Sequence, residues 1–266
     1  MSAEHLPIKV LGIAASPRRG GNSAYLLEHA LEAAREAAPA EVTTITWTFA
    51  GKVMSACTAC DACNRNGGTC TTDDDFHELR ELWLAADAII YSTPVYHMAC
   101  PSQLRAFMDR LGTTILFLFS DVPGEPVARR LLKPIGAIVQ GNGFASGQEQ
   151  AQQQIVAHAT LMGCLPVSGE DWEANLGAAG WTAFDTRKDA LRSLVDAGDP
   201  IAAATVRASQ AVGRSAVALA QLVLAGAQAR DDVLAGKPLY EVLRRRVKAG
   251  RGTEGDHSGA SPKGEA

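Results

Sequence analysis

Residues 8–23 read IKVLGIAASPRRGGNS, and this stretch decides which class of fold the chain can adopt. Its first half, residues 8–15, is a nearly continuous apolar run, which is typical of a parallel strand buried on both faces. The segment Asn22–Ala37 follows, with apolar residues at helical spacing. The stretch therefore predicts a buried strand, a polar Gly-rich turn and an amphipathic helix in that order.

Four later segments have the apolar or β-branched composition of strands: residues 42–49, 88–93, 135–139 and 164–167. Helical patterns occupy residues 102–111 and 148–162, and an Ala-rich helix is expected at residues 201–225. Strands that alternate with helical crossovers predict an α/β fold, a doubly wound parallel sheet with helices on both faces. For five strands the compact arrangement is the flavodoxin-like order 2-1-3-4-5.

The rest of the chain predicts an insert and a tail. Residues 171–185 are rich in Gly, Ala and Trp, so we expect an irregular insert there. We expect residues 1–230 to form one flavodoxin-like domain with a Cys-rich insert at residues 54–72. Residues 231–266 should form a tail that is first helical and then, from residue 250, disordered in composition.

Charge and composition narrow the classes of partner. The net charge is −4 and no basic stripe is present, so the sequence predicts no nucleic-acid partner. We also expect no membrane partner, because no apolar run reaches spanning length. Residues 1–7 are polar and lead directly into the first strand, which favours a cytoplasmic protein without a cleaved signal. Thiols stay reduced in that compartment, so six cysteines suggest metal or redox chemistry.

The turn between the first strand and the first helix is a candidate anion site. A helix N-terminus offers unpaired N–H groups and the positive end of the helix dipole. Ser16, Arg18, Asn22 and Ser23 can add hydroxyl, guanidinium and amide donors. A capped turn without a ligand is the alternative. Neither a P-loop lysine nor a G-x-G-x-x-G pattern is present, so a monoester phosphate fits the turn better than a triphosphate or a dinucleotide.

Two further loops are expected at the same edge of the sheet. The third strand leads into STPVYHM (residues 92–98), and the fourth leads into QGNGFASGQE (residues 140–149). In an open parallel sheet, ligands bind beyond the carboxyl ends of the strands. The first of these loops can present backbone amides and a tyrosine ring to a flat heterocycle, while the glycines of the second allow close approach.

Together, SPRRGGNS, TPVYH followed by QLRAFMDRLG, and GNGFASGQE resemble the NADPH-dependent FMN reductase family over residues 8–170. The resemblance implies a flavodoxin-like fold, FMN as cofactor, NAD(P)H as electron donor, and a homodimer or homotetramer. It also implies which residues hold FMN. The phosphate would contact Ser16, Arg18, Asn22 and Ser23; the ring would contact Pro94, Val95, Tyr96 and His97; the flavin or nicotinamide would lie beside Gly141 and Gly143.

A cysteine cluster follows the second strand, with the spacing C-x2-C-x2-C-x6-C at Cys57, Cys60, Cys63 and Cys70. Thiolates at this spacing can surround one iron–sulfur cluster. Zinc and an unfilled or redox-active set of thiols are the alternatives. The two remaining cysteines lie in the fold pattern, where buried free thiols are expected.

The position of this cluster between the second and third strands resembles the iron–sulfur flavoprotein branch of the same family. That resemblance implies a 4Fe-4S cluster which exchanges single electrons with FMN. The sequence departs from ferredoxins because no proline follows Cys70. The resulting hypothesis is an FMN-dependent NAD(P)H oxidoreductase that passes electrons to a small-molecule or protein acceptor. A flavodoxin-like electron carrier and an FMN reductase without a cluster are the alternatives. Hydride transfer to a flavin requires no acid–base side chain, so the sequence assigns no catalytic residue.

Overall fold

The structure is a computed structural model that describes residues 6–120, 122 and 125–251. The described residues form six strands, all of them parallel. They are β1 Ile8–Ala14, β2 Val42–Thr48, β3 Ala88–Pro94, β4 Pro134–Gln140, β5 Leu165–Val167 and β6 Ala178–Gly180.

The strand order is β2-β1-β3-β4-β5, which confirms the predicted flavodoxin-like order. The structure differs from the five-strand prediction at the far edge of β4. There β5 pairs with the first half of β4, beginning at Pro134↔Leu165, while β6 pairs with the second half, beginning at Ile138↔Ala178. The fifth position of the sheet is therefore shared by two three-residue strands. The sequence of β6, Ala-Ala-Gly, lacks the β-branched and aromatic residues that are typical of strands. For this reason β6 was not predicted, and its residues fall within the predicted irregular insert.

Nine α-helices lie within the described residues. They are α1 Asn22–Ala37, α2 Ala62–Arg65, α3 Phe76–Ala85, α4 Ser102–Leu118, α5 Gln148–Leu161, α6 Ala190–Asp196, α7 Pro200–Ala229, α8 Asp231–Leu234 and α9 Glu241–Arg251. Helix α3 had not been predicted, although Phe76, Leu79 and Trp83 place buried side chains along one face of it. The predicted helix that begins at residue 102 continues seven residues further, to Leu118.

Two apolar cores lie on opposite faces of the sheet. One contains Phe76, Trp83 and Phe107, from α3 and α4. The other contains Leu27 of α1 and Val212 of α7. Because both faces are covered, the central strands read as continuous apolar runs, and every residue of β4 is buried.

Helix α7 is the one helix of the described residues that is long and apolar enough to cross a membrane by length and composition. Its buried side chains, among them Val212 and Val217, pack in the core on the α1 side of the sheet. The apolar character of α7 is that of a core helix, so it does not indicate a membrane protein.

Helix α9 covers the edge of the sheet at which the strands begin. Leu243 and Val247 are buried in the core that contains α1 and α7. Arg246 pairs with Asp87 at 2.6 Å and also donates to the carbonyl of Pro7 at 2.6 Å. The helical part of the predicted tail thus packs on the sheet, and its helix runs to Arg251. Residues 252–266, the rest of the segment with a disordered composition, lie outside the described residues.

Candidate functional site

The turn between β1 and α1 has the geometry of an open helix N-terminus. Gly21 precedes α1 and has no side chain with which to cap it. The backbone N–H of Arg18 donates to Ser16 Oγ at 3.1 Å, which curls the turn. Asn22 Oδ1 accepts from the N–H of Leu191 at 3.1 Å, so its amide nitrogen is the part available to a ligand. Ser23 lies at the start of the helix, and its carbonyl accepts from Ser92 Oγ at 2.7 Å.

This turn borders a cavity of about 170 Å³ at the carboxyl ends of β1, β3 and β4. The cavity brings together seven of the ten residues that the sequence assigns to the cofactor: Ser16, Arg18, Asn22, Ser23, Pro94, Val95 and Tyr96. Gly21, which the sequence places in the Gly-rich turn, also lines the cavity. Sequence reasoning assigned no role to the other lining residues, which are Gln140, Asn142, Thr182, Asp185, Thr186, Arg187 and Lys188.

The remaining three predicted residues lie beside the cavity and do not line it. His97 is exposed at the tip of a turn. Gly141 and Gly143 are buried, and a Cβ on them would come within 2.8 Å of Gln148 Nε2 and 2.9 Å of the Phe184 ring respectively. The roles proposed for these three residues stay predictions.

Residues 96–99 form a tight two-residue turn at the rim of the cavity. The N–H of Tyr96 donates to the carbonyl of Ala99 at 2.9 Å, and the reverse bond measures 3.0 Å. His97 and Met98 have φ values of 47° and 64°, a left-handed pair that costs non-glycine residues about 1–2 kcal/mol each. Gly147 has φ 99° and packs against Met98. This contact supports the strained turn, which holds Tyr96 at the cavity mouth.

The segment between β6 and α6 closes the other side of the cavity. Arg18 Nη1 donates to the carbonyl of Thr186 at 2.9 Å, although the two residues are 168 positions apart. Arg187 pairs with Asp185 at 2.7 Å, and hydrogen bonds from Arg187 lower the pKa of that carboxyl. Since this pair balances itself, Arg18 and Lys188 carry the excess positive charge beside the helix N-terminus.

The donors and the rim together fit FMN. A phosphate monoester would find hydroxyl, amide and guanidinium donors and the N–H groups of the first turn of α1. At the other end, Pro94, Val95 and Tyr96 offer an apolar and aromatic surface to a flat ring. The cavity therefore separates a charged end from a flat apolar end, as a flavin nucleotide requires.

The four clustered cysteines line a second cavity of about 220 Å³, together with Arg110, Thr113 and Thr114 of α4. Cys57 and Cys60 are exposed, while Cys63 and Cys70 are partly buried. Among the residues that the structure describes, no group of three or more His, Cys, Asp or Glu side chains is arranged to hold a metal ion. The structure thus gathers the predicted ligands around one cavity without a closed metal site. Cys100 and Cys164 are buried free thiols, as predicted.

Local donors favour the ionised form of two of these thiols. The backbone N–H of Ala62 lowers the pKa of Cys60. Burial raises the pKa of Cys70, but hydrogen bonds from the Thr72 N–H and from Arg110 outweigh it and lower the pKa overall. Burial raises the pKa of the Cys63 thiol. Thiolates are the form that binds iron, so the donors around Cys60 and Cys70 suit a cluster.

Arg110 and Asp74 form a buried ion pair behind the cysteine cavity. Both side chains are only 2% exposed, and Arg110 Nη1 lies 2.7 Å from Asp74 Oδ2. Burial raises the pKa of Asp74, but hydrogen bonds from Arg110 and from the N–H groups of Ser55 and Phe76 lower it to about 2. The carboxylate is therefore ionised at neutral pH, and the pair fixes the segment after Cys70 onto α4.

A family model described as NADPH-dependent FMN reductase matches residues 8–178. The chain belongs to this family. An iron-sulfur flavoprotein of Archaeoglobus fulgidus is 34% identical over 174 residues, which cover 65% of this chain and 82% of that protein. An iron-sulfur flavoprotein of Methanocaldococcus jannaschii is 31% identical over 174 residues, with the same coverage of 65% and 82%.

Solved structures agree on the fold. The crystal structure of RosB, which holds 8-demethyl-8-formylriboflavin-5'-phosphate, has a TM-score of 0.60 and 16% identity to this chain. The match covers 96% of this chain and 91% of RosB. As a member of the FMN reductase family, the chain is a flavodoxin-like, FMN-dependent oxidoreductase that uses a reduced nicotinamide.

Proposed function

We propose that this FMN reductase family member is an iron–sulfur flavoprotein. In this proposal FMN occupies the cavity at the β1–α1 turn, and Cys57, Cys60, Cys63 and Cys70 hold a 4Fe-4S cluster. The observation that carries the proposal is the gathering of all four cysteines around one cavity. The names of the relatives from Archaeoglobus and Methanocaldococcus support it.

The residues of the first cavity bind and orient the cofactor. Arg18 and the first turn of α1 would hold the phosphate and so fix one end of the flavin. The tight turn at residues 96–99 holds Tyr96 at the cavity mouth, where its ring would contact the flavin. FMN supplies hydride and single-electron chemistry when it is bound. The protein thus contributes position and charge, and no acid–base side chain is needed.

The cysteine cavity gives the chain a route for single electrons. Four thiolates are the usual ligand set of a 4Fe-4S cluster, and Cys60 and Cys70 are disposed to ionise. A cluster beside a flavin domain suits a one-electron acceptor, either a small molecule or a redox protein. We propose a homodimer or homotetramer as the assembly, on the basis of the family. We also propose a cytoplasmic location, where free thiols such as the six described here persist.

Anaerobic purification of the full chain tests this function. We expect a yellow-brown protein that contains FMN, iron and sulfide, and that oxidises NADPH or NADH in the presence of a one-electron acceptor. Cys57→Ser should lose most of the iron and retain FMN, because Cys57 is exposed and lines only the second cavity. Cys100→Ala is the matched control. It removes a cysteine that lies outside that cavity, so its iron content should equal that of the wild type.

Three results would contradict the proposal in different ways. Flavin without iron and sulfide would indicate an FMN reductase that lacks a cluster. Stoichiometric zinc in a colourless protein would indicate a zinc-stabilised module. Absence of NAD(P)H turnover with every acceptor tested would indicate a flavodoxin-like electron carrier.

A further inference from the structure

Arg110 contacts one of the four clustered cysteines directly. Its Nη2 lies 3.3 Å from Cys70 Sγ and donates to the carbonyl of Thr72 at 3.2 Å. Its other terminal nitrogen, Nη1, pairs with Asp74 and also donates to the carbonyl of Ser55 at 3.2 Å. One guanidinium therefore connects the segments on both sides of the cysteine loop with the middle of α4.

The charge of Arg110 is held at low solvent exposure. The side chain is 2% exposed, and its guanidinium carbon lies 4.1 Å from the centre of the Phe76 ring. Its Nε is buried and has no hydrogen-bond partner in the part of the chain that the structure describes. Since water screens a buried charge poorly, this cation acts strongly on its immediate neighbours.

We infer that Arg110 is a positioning residue that raises the reduction potential of the cluster by donating to Cys70 Sγ. The inference rests on the proposed function, because it requires a cluster at the four cysteines. Arg110 is not among the residues that line the first cavity, so FMN content is a separate readout.

The direction of the effect follows from charge. An added electron increases the negative charge on the cluster and on its sulfur ligands. A cationic N–H donor at Cys70 Sγ stabilises that charge, and hydrogen bonds to sulfur are among the factors that set cluster potentials. Asp74 opposes the effect, because its carboxylate partly neutralises Arg110. Removal of the Arg110 charge should therefore lower the potential, and removal of the Asp74 charge should raise it.

Redox titration of the anaerobically purified protein, followed by electron paramagnetic resonance, tests this inference. Arg110→Gln should lower the equilibrium constant for cluster reduction about tenfold, or about 59 mV for a one-electron couple. Asp74→Asn should shift the potential to more positive values. A purely structural role for the pair would not produce shifts of opposite sign. The Asp74→Asn arm also decides the question if Arg110→Gln fails to fold.

Arg80→Gln is the matched control. Arg80 is also buried, also has an unpartnered Nε, and donates to the carbonyl of Gly68 in the same loop at 3.3 Å. Its charge pairs with Glu81, and among the described residues it donates no hydrogen bond to a thiol. In Arg80→Gln we expect the reduction potential of the cluster to differ from that of the wild type much less than it does in Arg110→Gln. Equal shifts in the two arginine variants, or an unchanged potential in Arg110→Gln, would overturn the inference. A wild-type protein without iron and sulfide would instead overturn the proposed function, and this inference with it.

Discussion

Arg18 and Arg19 are neighbours in the sequence, but their side chains have different surroundings. Arg18 lines the candidate FMN cavity and donates to the carbonyl of Thr186. Arg19 is not among the residues that line that cavity and extends toward Gly51, where its Nη2 would lie 3.6 Å from an added Cβ. Of the two guanidinium groups in the turn, therefore, only that of Arg18 lies at the candidate phosphate site.

Arg18→Gln is expected to weaken FMN binding about tenfold, because a charge-assisted hydrogen bond to phosphate is lost. Arg19→Gln also removes one positive charge, but it should alter the dissociation constant of FMN less than about twofold. Quenching of FMN fluorescence on titration with apoprotein measures both constants. Equal losses in the two variants would show that general electrostatic attraction, and not a contact in the cavity, accounts for the affinity.

At this scale the sequence predicts what is local and misses what is distant. Ser16, Arg18, Asn22 and Ser23 lie in one turn between a strand and a helix, so their convergence follows from local structure alone. Lys188 reaches the same cavity from a segment more than 160 residues away. The only local signal is that Lys188 follows Arg187 directly in the sequence, close to a segment rich in small residues. Two neighbouring cations do not indicate where in the fold their segment packs.

The cysteine loop, residues 57–70, approaches the backbone of α4 closely at one glycine, Gly68. Gly68 has φ 78°, and a Cβ there would lie 2.6 Å from the backbone nitrogen of Leu118. Its neighbour Gly67 has φ 55°, but a Cβ at that position would meet nothing within 4 Å. The two glycines thus share a left-handed conformation and differ in how closely they approach the helix.

Gly68→Ala should therefore force the loop away from α4, lower the free energy of unfolding by about 2–4 kcal/mol, and reduce the iron content. Gly67→Ala carries only the cost of its positive φ, about 1 kcal/mol, and should retain iron. Urea unfolding and iron assays on the two variants provide the comparison. If Gly67→Ala lost as much iron as Gly68→Ala, loop conformation rather than docking on α4 would determine cluster binding.

Elements could be predicted where their own residues determine them. β1, β3 and β4 are continuous apolar runs because both faces of the sheet are covered, and the sequence places them within a residue or two. β6 exists because β4 is seven residues long and β5 pairs with only three of them. The residues of Ala178–Gly180 do not themselves indicate that β4 needs a second partner strand. In the same way, the cysteine spacing predicts that the four thiols can share one ligand, but it cannot predict that Arg110 of α4 lines the cavity that they form.

In the whole molecule, the candidate functional site and the contacts of α9 lie at opposite edges of the sheet. The candidate FMN cavity lies where β1, β3 and β4 end. α9 lies at the opposite edge, where Arg246 bridges Asp87 and the carbonyl of Pro7, just before β3 and β1 begin. A change to α9 should therefore alter the stability of the fold and leave the geometry of the FMN cavity intact.

This separation yields a test of whether the predicted domain of residues 1–230 is a complete folding unit. A chain that ends at Arg230 loses the buried Leu243 and Val247, which contribute about 1.5–3 kcal/mol each, and the Arg246–Asp87 pair. We expect thermal unfolding about 10 °C lower than in the full chain, with unchanged FMN affinity at low temperature. A chain that ends at Arg251 keeps all these contacts and serves as the control. Equal melting temperatures for the two truncated chains would mean that the domain is complete at residue 230, since the contacts of α9 would then add nothing to the stability of the sheet.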